Sequence, residues 1–315
     1  MTGSCCRCPP CRRGDRVIIA IVGPTAVGKS DLAIDLAEII DAEIVSADSM
    51  QVYVGMDIGT AKVSVAERRG VPHHMIDVWD PGHDVSVVEF RDRAREAIAE
   101  IERRGRPVVI VGGSWQYVQA ILDEMDFPGT DPEVRSRLEA ELAEVGPEVL
   151  HARLAALDAT AAQAILPTNG RRIVRALEVV ELEGSFTARL PEPRPWREAR
   201  WVGLAVDRLV LDARIAARVD RMWNAGLVDE VLALRERLGR TASGALGYRQ
   251  VLDALAGDGD LDVARQRTID GTRKFARRQE RRFRQDTRIA WVPAGTPASS
   301  LSGELSHAAR RPDPR

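Results

Sequence analysis

Residues 23–30 read Gly23-Pro24-Thr25-Ala26-Val27-Gly28-Lys29-Ser30, and this stretch constrains the fold more than any other. Six apolar residues precede it, Val17-Ile18-Ile19-Ala20-Ile21-Val22, a run short enough for a buried central strand. After it, Leu32, Ile34, Leu36, Ile39 and Ile40 are interspersed with Asp31, Asp35 and Glu38, which reads as an amphipathic helix packed on a sheet. Strand, G-x-x-x-x-G-K-S and helix together make a P-loop, in which backbone N–H groups point into one concavity and cradle a phosphate. The helix N-terminus adds partial positive charge there and Lys29 a full one, while Ser30 is placed to hold a magnesium ion on the bound phosphates. Of the 45 basic residues only Lys29, Lys62 and Lys274 are lysine, so a lysine at position 29 is no arbitrary cation. The expected ligand is a di- or triphosphate.

A chain of 315 residues suggests two domains, or one with a large insertion. A formal net charge of −2 argues against a uniformly basic nucleic-acid coat, so any such partner must meet a local patch. No apolar run approaches the ~20 residues that span a bilayer, and the N-terminus lacks the apolar core of a signal peptide. These features read as a cytoplasmic protein with no membrane partner. All four cysteines, Cys5, Cys6, Cys8 and Cys11, fall in the first eleven residues. Paired zinc ligands sit on turns separated by a dozen or more residues, so this cluster reads as part of a disordered leader, residues 1–13.

Further along, Glu43–Ser49 is a short apolar strand ending in a polar cluster. Ligands of parallel α/β sheets bind outside the carboxyl ends of the strands, which puts Asp48 at the mouth of the P-loop crevice. Ser-Ala-Asp-Ser also suits a helix N-cap, and spacing alone leaves both readings open. Gln51–Lys62 has no helical or strand period, and a loop this long inside a domain is usually functional. His73 and His74, adjacent on an extended segment, point to opposite faces and are poor joint metal ligands. A helix over 87–104 leads to the strand Val108–Val111, which ends in Gly112-Gly113-Ser114. A motor-type NTPase would place a magnesium-binding Asp there. From Asp131 to Gly184 the sequence is helical throughout, with Arg171, Arg172 and Arg175 on the first turns of its last helix. Trp201–Val206 returns to strand character, and 209–238 is mostly helical.

The last helix, expected over 263–286, is the most basic region, with ten basic and three acidic residues between Arg265 and Arg288. Arg273, Arg277, Arg281, Arg284 and Arg288 recur at helical spacing and form one stripe, which suits salt-dependent contacts with nucleic-acid phosphates. The expected fold is therefore α/β, a P-loop NTPase-like parallel core with helices on both faces, built from 14–124 and 196–292. An all-helical insertion occupies 125–195, and a disordered tail follows from 293 to 315.

Together the motifs resemble the bacterial tRNA dimethylallyltransferases, also called tRNA isopentenyltransferases. The resemblance rests on the P-loop, on Asp48-Ser49-Met50-Gln51-Val52-Tyr53 and on Gly55-Met56-Asp57-Ile58-Gly59-Thr60-Ala61-Lys62. Val71-Pro72-His73-His74, Gly112-Gly113-Ser114, Arg175-Ala176-Leu177-Glu178-Val179 and Gly247-Tyr248-Arg249-Gln250 extend it. It implies a monomeric prenyltransferase that moves a dimethylallyl group from dimethylallyl diphosphate to the exocyclic amine of an adenosine. That adenosine lies 3′ of the anticodon in tRNAs reading codons that begin with U, and it reaches a channel between the domains. By resemblance, residues 23–30 hold the diphosphate, Thr25 and Arg249 contact it, and Asp48 takes the amine proton. The tRNA anticodon stem-loop is expected to meet Asp48, Ser49, Met50, Gln51, Ser114, Arg171, Arg172, Arg175, Gly247, Tyr248, Arg249 and Gln250, with Arg273, Arg277 and Arg281 on its phosphates. Departures from the family pattern are Trp115 where glycine is usual, Pro167-Thr168-Asn169 for Pro-Asn-Asp, Arg171 for glutamine and Arg282 for an aromatic. The rival readings are an ATP-dependent small-molecule kinase, with Asp48 activating a hydroxyl, and an RNA-binding NTPase factor.

Overall fold

A computed structural model describes residues 17–125, 127–187, 193–257 and 259–301. The cysteine cluster and the expected leader lie outside those residues. In chain order the elements are β1 (Ile18–Val22), α1 (Lys29–Ile40), β2 (Glu43–Ser46), β3 (His73–His74), α2 (Val87–Arg103), β4 (Val108–Gly112) and α3 (Trp115–Leu122). Four helices follow, α4 (Pro132–Val145), α5 (Pro147–Leu157), α6 (Ala159–Gln163) and α7 (Gly170–Glu183). The chain then forms β5 (Ala199–Ala205), α8 (Arg208–Asn224), α9 (Leu227–Leu234), α10 (Arg240–Ser243), α11 (Tyr248–Ala256), α12 (Leu261–Phe283) and β6 (Ile289–Pro293).

The strands form one parallel sheet in the order β3-β2-β4-β1-β5-β6. All five residues of β1 are buried, because a central parallel strand is covered on both faces. Its side chains alternate between two cores. Ile18, Ala20 and Val22 join Phe90, Ile98 and Tyr248 on one face, and Ile19 and Ile21 join Leu36, Leu211 and Ile215 on the other. Helices therefore cover both sides of the sheet, and the loop after β1 emerges at the middle of its carboxyl edge.

Two compact units divide the chain, 1–123 with 195–315, and 124–194. The smaller is all-helical among its described residues, with a core built on Leu138, Leu150, Leu154, Ile173 and Leu177. Its buried Glu178 accepts hydrogen bonds from Arg135, Arg175 and the Asp131 N–H. No helix among the described residues is long and apolar enough to cross a membrane.

The expectation of disorder from residue 293 is corrected for 293–301. Ala294 N–H donates to Ala205 O at 2.7 Å, and Ala298 and Leu301 are buried against the Ile19 face of the sheet. Those apolar residues sit at helical spacing within a Gly, Ser and Pro rich stretch, whose composition hid them. The last helix also stops at Phe283, not 286, because Asp286 turns back to hold Arg288.

Candidate active site

The P-loop geometry follows from its glycines. Gly23 has φ +142°, and a Cβ there would lie 2.9 Å from the Leu204 carbonyl oxygen of β5. Gly28 has φ +104° and caps α1 in open space, so its requirement is conformational. Lys29 curls back and donates from Nζ to Pro24 O at 2.7 Å. Desolvation, with Arg218 beside it, pushes the Lys29 ammonium down to about 7, and the carboxylate of Asp48 only partly offsets this. Burial likewise lowers Arg218, again opposed by Asp48. Two desolvated cations thus share one acid.

Asp48 follows β2 and precedes a turn, not a helix. Its Oδ1 accepts from Met50 N–H at 2.8 Å and from Gln51 N–H at 3.4 Å. The helix-cap reading is therefore corrected to a turn-capping role, and Asp48 also lines the crevice beside the P-loop. Oδ1 holds the turn, and Oδ2 stays uncommitted among the described residues.

A cavity of about 470 Å³ opens beside these groups. Thr25, Asp48, Ser49, Ser114 and Arg218 supply polar and charged lining. Ile215, Val219 and Met222 of α8, Leu246, and Phe275 of α12 supply apolar lining. The exposed Arg249, Lys274 and Arg278 add three more cations. Ser114 sits at the N-cap of α3 without using its hydroxyl as a cap, which leaves that group to the cavity. The lining residues all belong to the larger unit. Ser30, in the first turn of α1, lines a separate small recess with Ser46, Gln51 and His73. The cavity thus sets charged groups beside an apolar wall.

The IPP transferase family model matches residues 51–286. The chain belongs to the IPP transferase family. A relative from Thermobifida fusca (strain YX), called tRNA dimethylallyltransferase, is 57% identical over 289 residues, covering 89% of this chain and 91% of that one. A tRNA dimethylallyltransferase from Frankia casuarinae is 58% identical over 295 residues, 91% of this chain and all of that one. The crystal structure of the tRNA isopentenylpyrophosphate transferase of Bacillus halodurans superposes with TM-score 0.69 at 37% identity, covering 94% and 99% of the two chains. A eukaryotic dimethylallyltransferase described as acting on tRNA gives TM-score 0.78 at 25% identity, covering 96% of this chain and 81% of that one.

Two motifs of the family play a different part from the one expected. Tyr248 and Gln250 were expected to touch tRNA, but both side chains are buried. The Tyr248 hydroxyl donates to Glu230, and Gln250 Oε1 accepts from Gly247 N–H at 2.8 Å as a cap on α11. Gly247 is itself buried, which leaves Arg249 as the exposed residue of the four. Glu230 of α9 also accepts from the N–H groups of Asp57, Ile58 and Gly59, at 3.0, 2.7 and 3.0 Å. Lys62 closes the same loop, with Nζ on Tyr53 O, Asp57 and Asp77. Gln51 donates to Thr60 O and Ala61 O at 3.3 and 3.4 Å, so its amide also belongs to this loop. The 51–62 block and the 247–250 block are therefore one construction, joined through a carboxylate that no motif marks.

The arginine stripe is divided among several partners. Arg273 and Arg277 reach Asp212 of α8, at 3.4 Å to its carbonyl and 3.5 Å to its carboxylate. Arg288 lies beyond the helix, clamped by Asp123 at 2.6 and 2.9 Å and by Asp286. Arg281 is exposed, and Arg284 lies over Trp291. The face of α12 that lines the cavity carries Lys274, Phe275, Arg278 and Gln279 instead. Two departures from the family pattern meet in space, since the Arg282 guanidinium lies 5.1 Å from the centre of the Trp115 ring. In the smaller unit, Arg171 and Arg172 are exposed at the start of α7. Arg175 instead ties Glu178 to the carbonyls of Pro128 and Gly129.

Sequence reasoning missed Arg218, Lys274, Arg278, Glu230 and Gln279. Lysine's rarity was a usable signal for Lys274. The others are ordinary residues of amphipathic helices, and only their distant partners mark them.

Proposed function

We propose that this chain transfers a dimethylallyl group from dimethylallyl diphosphate to the N6 amine of the adenosine 3′ to the anticodon, in tRNAs reading codons that begin with U. The products are N6-isopentenyladenosine and diphosphate. The observation that carries this reading is the P-loop with its desolvated Lys29, set beside a partly apolar cavity that Thr25, Asp48 and Arg218 line. Such a site suits an anion, and its wall suits a short hydrocarbon.

In the reaction, the N6 lone pair attacks C1 of the dimethylallyl group. The C1–O bond breaks, and its electron pair leaves with the diphosphate. Negative charge grows on the leaving oxygen, where Lys29, Arg218, Thr25 and the loop amides stabilise it. Arg249 adds charge from the exposed side. Asp48, fixed by its turn, accepts the proton that N6 loses. The adenosine must leave its loop stack to enter, as in other enzymes that act on a base. The exposed Lys274, Arg278 and Arg281 would meet RNA phosphates, and Arg171 and Arg172 offer the smaller unit's own contacts.

No group of three or more His, Cys, Asp or Glu side chains is arranged for a metal among the described residues. The Ser30 hydroxyl fits magnesium, which keeps several waters and takes its remaining ligands from a substrate diphosphate. Bound there, the ion would neutralise charge on the departing diphosphate. We read the chain as a monomer acting in the cytoplasm.

The test is incubation of the protein and bulk tRNA with radiolabelled dimethylallyl diphosphate, beside a parallel reaction with labelled ATP. Label from the prenyl carbon in tRNA supports the proposal. Label transferred only from ATP would replace it with a kinase.

A further inference from the structure

Gln279 of α12 makes two hydrogen bonds that no motif accounts for. Its Oε1 accepts from the Thr25 N–H at 2.9 Å, and its Nε2 donates to the Gly113 carbonyl at 2.8 Å. The residue is 7% exposed, and its bond to Gly113 is buried while that from Thr25 is partly so. The partners are 254 and 166 residues away in sequence. They belong to the first turn of the P-loop and to the end of β4. Gly113 has to be glycine for this contact to exist, because a Cβ there would lie 2.4 Å from Gln279 Nε2. The same Cβ would lie 3.5 Å from the Gly23 carbonyl oxygen. Thr25, Ser114 and Gln279 all line the cavity, and α12 also presents Lys274 and Arg278 there.

The geometry points to Gln279 as a positioning residue that clamps the phosphate loop to β4 and to the helix lining the RNA side of the cavity. An amide suits this role because it carries an acceptor and a donor at once, each matched to a backbone group of opposite kind. The clamp fixes the Pro24-Thr25 turn, and Pro24 O is the acceptor for Lys29 Nζ. The orientation of the loop cation therefore depends on a residue of α12. RNA bound on α12 would in turn restrain the loop that holds the diphosphate.

This inference rests on the proposed transfer reaction only for its kinetic readout. Gln279→Leu removes both bonds while keeping similar bulk. A loop misplaced by about 1 Å costs about 10²-fold in rate, so the single-turnover rate should fall by that order while diphosphate and tRNA affinities change less than about fivefold. Gly113→Ala should produce a similar loss by displacing the amide. The double variant should be no worse than the poorer single, since both break one clamp. Gln279→Glu keeps the acceptor for Thr25 but loses the donor to Gly113. Its rate relative to the parent should rise as pH falls, because a protonated carboxyl regains a donor, and it serves as the probe if the leucine variant does not fold. Hydrogen exchange of the peptide spanning residues 23–30, measured with no substrate, should quicken in Gln279→Leu whatever reaction the protein performs. Losses that multiply in the double variant, or parent-like exchange in that peptide, would overturn the clamp. A parent protein that transfers no prenyl group, yet shows the exchange change, would refute the reaction and leave the clamp standing.

Discussion

Diphosphate binding should take up a proton through Lys29. In the unliganded protein, desolvation and the nearby Arg218 hold Lys29 at about 7, well below its ordinary 10.5. A diphosphate in the P-loop brings negative charge to Nζ and restores the protonated form. Above pH 7 binding must therefore be accompanied by proton uptake. At pH 8.5 about 97% of a group titrating near 7 is neutral, so uptake should approach about one proton per diphosphate. If only the protonated form binds, the dissociation constant should rise about fifty-fold between pH 7 and pH 9. Stability runs the opposite way. The unfolded chain holds this proton up to about 10.5 and the fold releases it near 7, so this group's contribution to stability rises with pH between those values. Calorimetric titration of inorganic diphosphate at pH 8.5, in buffers of differing ionisation enthalpy, measures the uptake directly. Lys29→Met should abolish it. Uptake below about 0.2 proton in the parent protein would refute the argument, since Lys29 would then be charged before the ligand arrives.

Three further outcomes follow from the same site. Asp48→Asn keeps an oxygen to hold the Met50 and Gln51 amides but accepts no proton, so single-turnover rate should fall by roughly 10²–10⁴ with tRNA affinity unchanged; a rate within threefold of the parent would make Asp48 a turn residue only. Glu230→Gln weakens the charged acceptor shared by three backbone N–H groups and Tyr248, and urea unfolding should show a loss of about 1.5–3 kcal/mol. An unchanged urea midpoint would detach Glu230 from the 57–59 loop. Neutralising Lys274 and Arg278 should lower the slope of log affinity for tRNA against log salt by about 1–2, and neutralising Arg273 and Arg277 should lower it less. Equal slopes in the two pairs would restore the stripe first expected.

The P-loop was legible in the sequence because its parts are local. Eight consecutive residues with an apolar run before them and an amphipathic helix after them suffice to build a backbone nest. The parallel core was legible for a related reason, since each buried strand announces itself within five or six residues. The Tyr248 and Gln250 positions were legible as a motif but not as a geometry. Which way those side chains face depends on α11 docking against α9, and Glu230 lies outside any recognisable pattern. Periodicity likewise identified residues sharing a face of α12, but a period carries no information about what that face meets. Packing against α8 turned Arg273 and Arg277 toward Asp212 and gave the cavity to Lys274 and Arg278. The apolar tail residues Ala298 and Leu301 were hidden by a disorder-like composition until the sheet offered a surface to cover them. The sequence by itself therefore determined the fold class, the phosphate loop and the family. Only the tertiary structure decided how Lys29 is charged and what Gln279 holds, because desolvation and hydrogen bonding across 254 residues exist only once the chain has closed on itself.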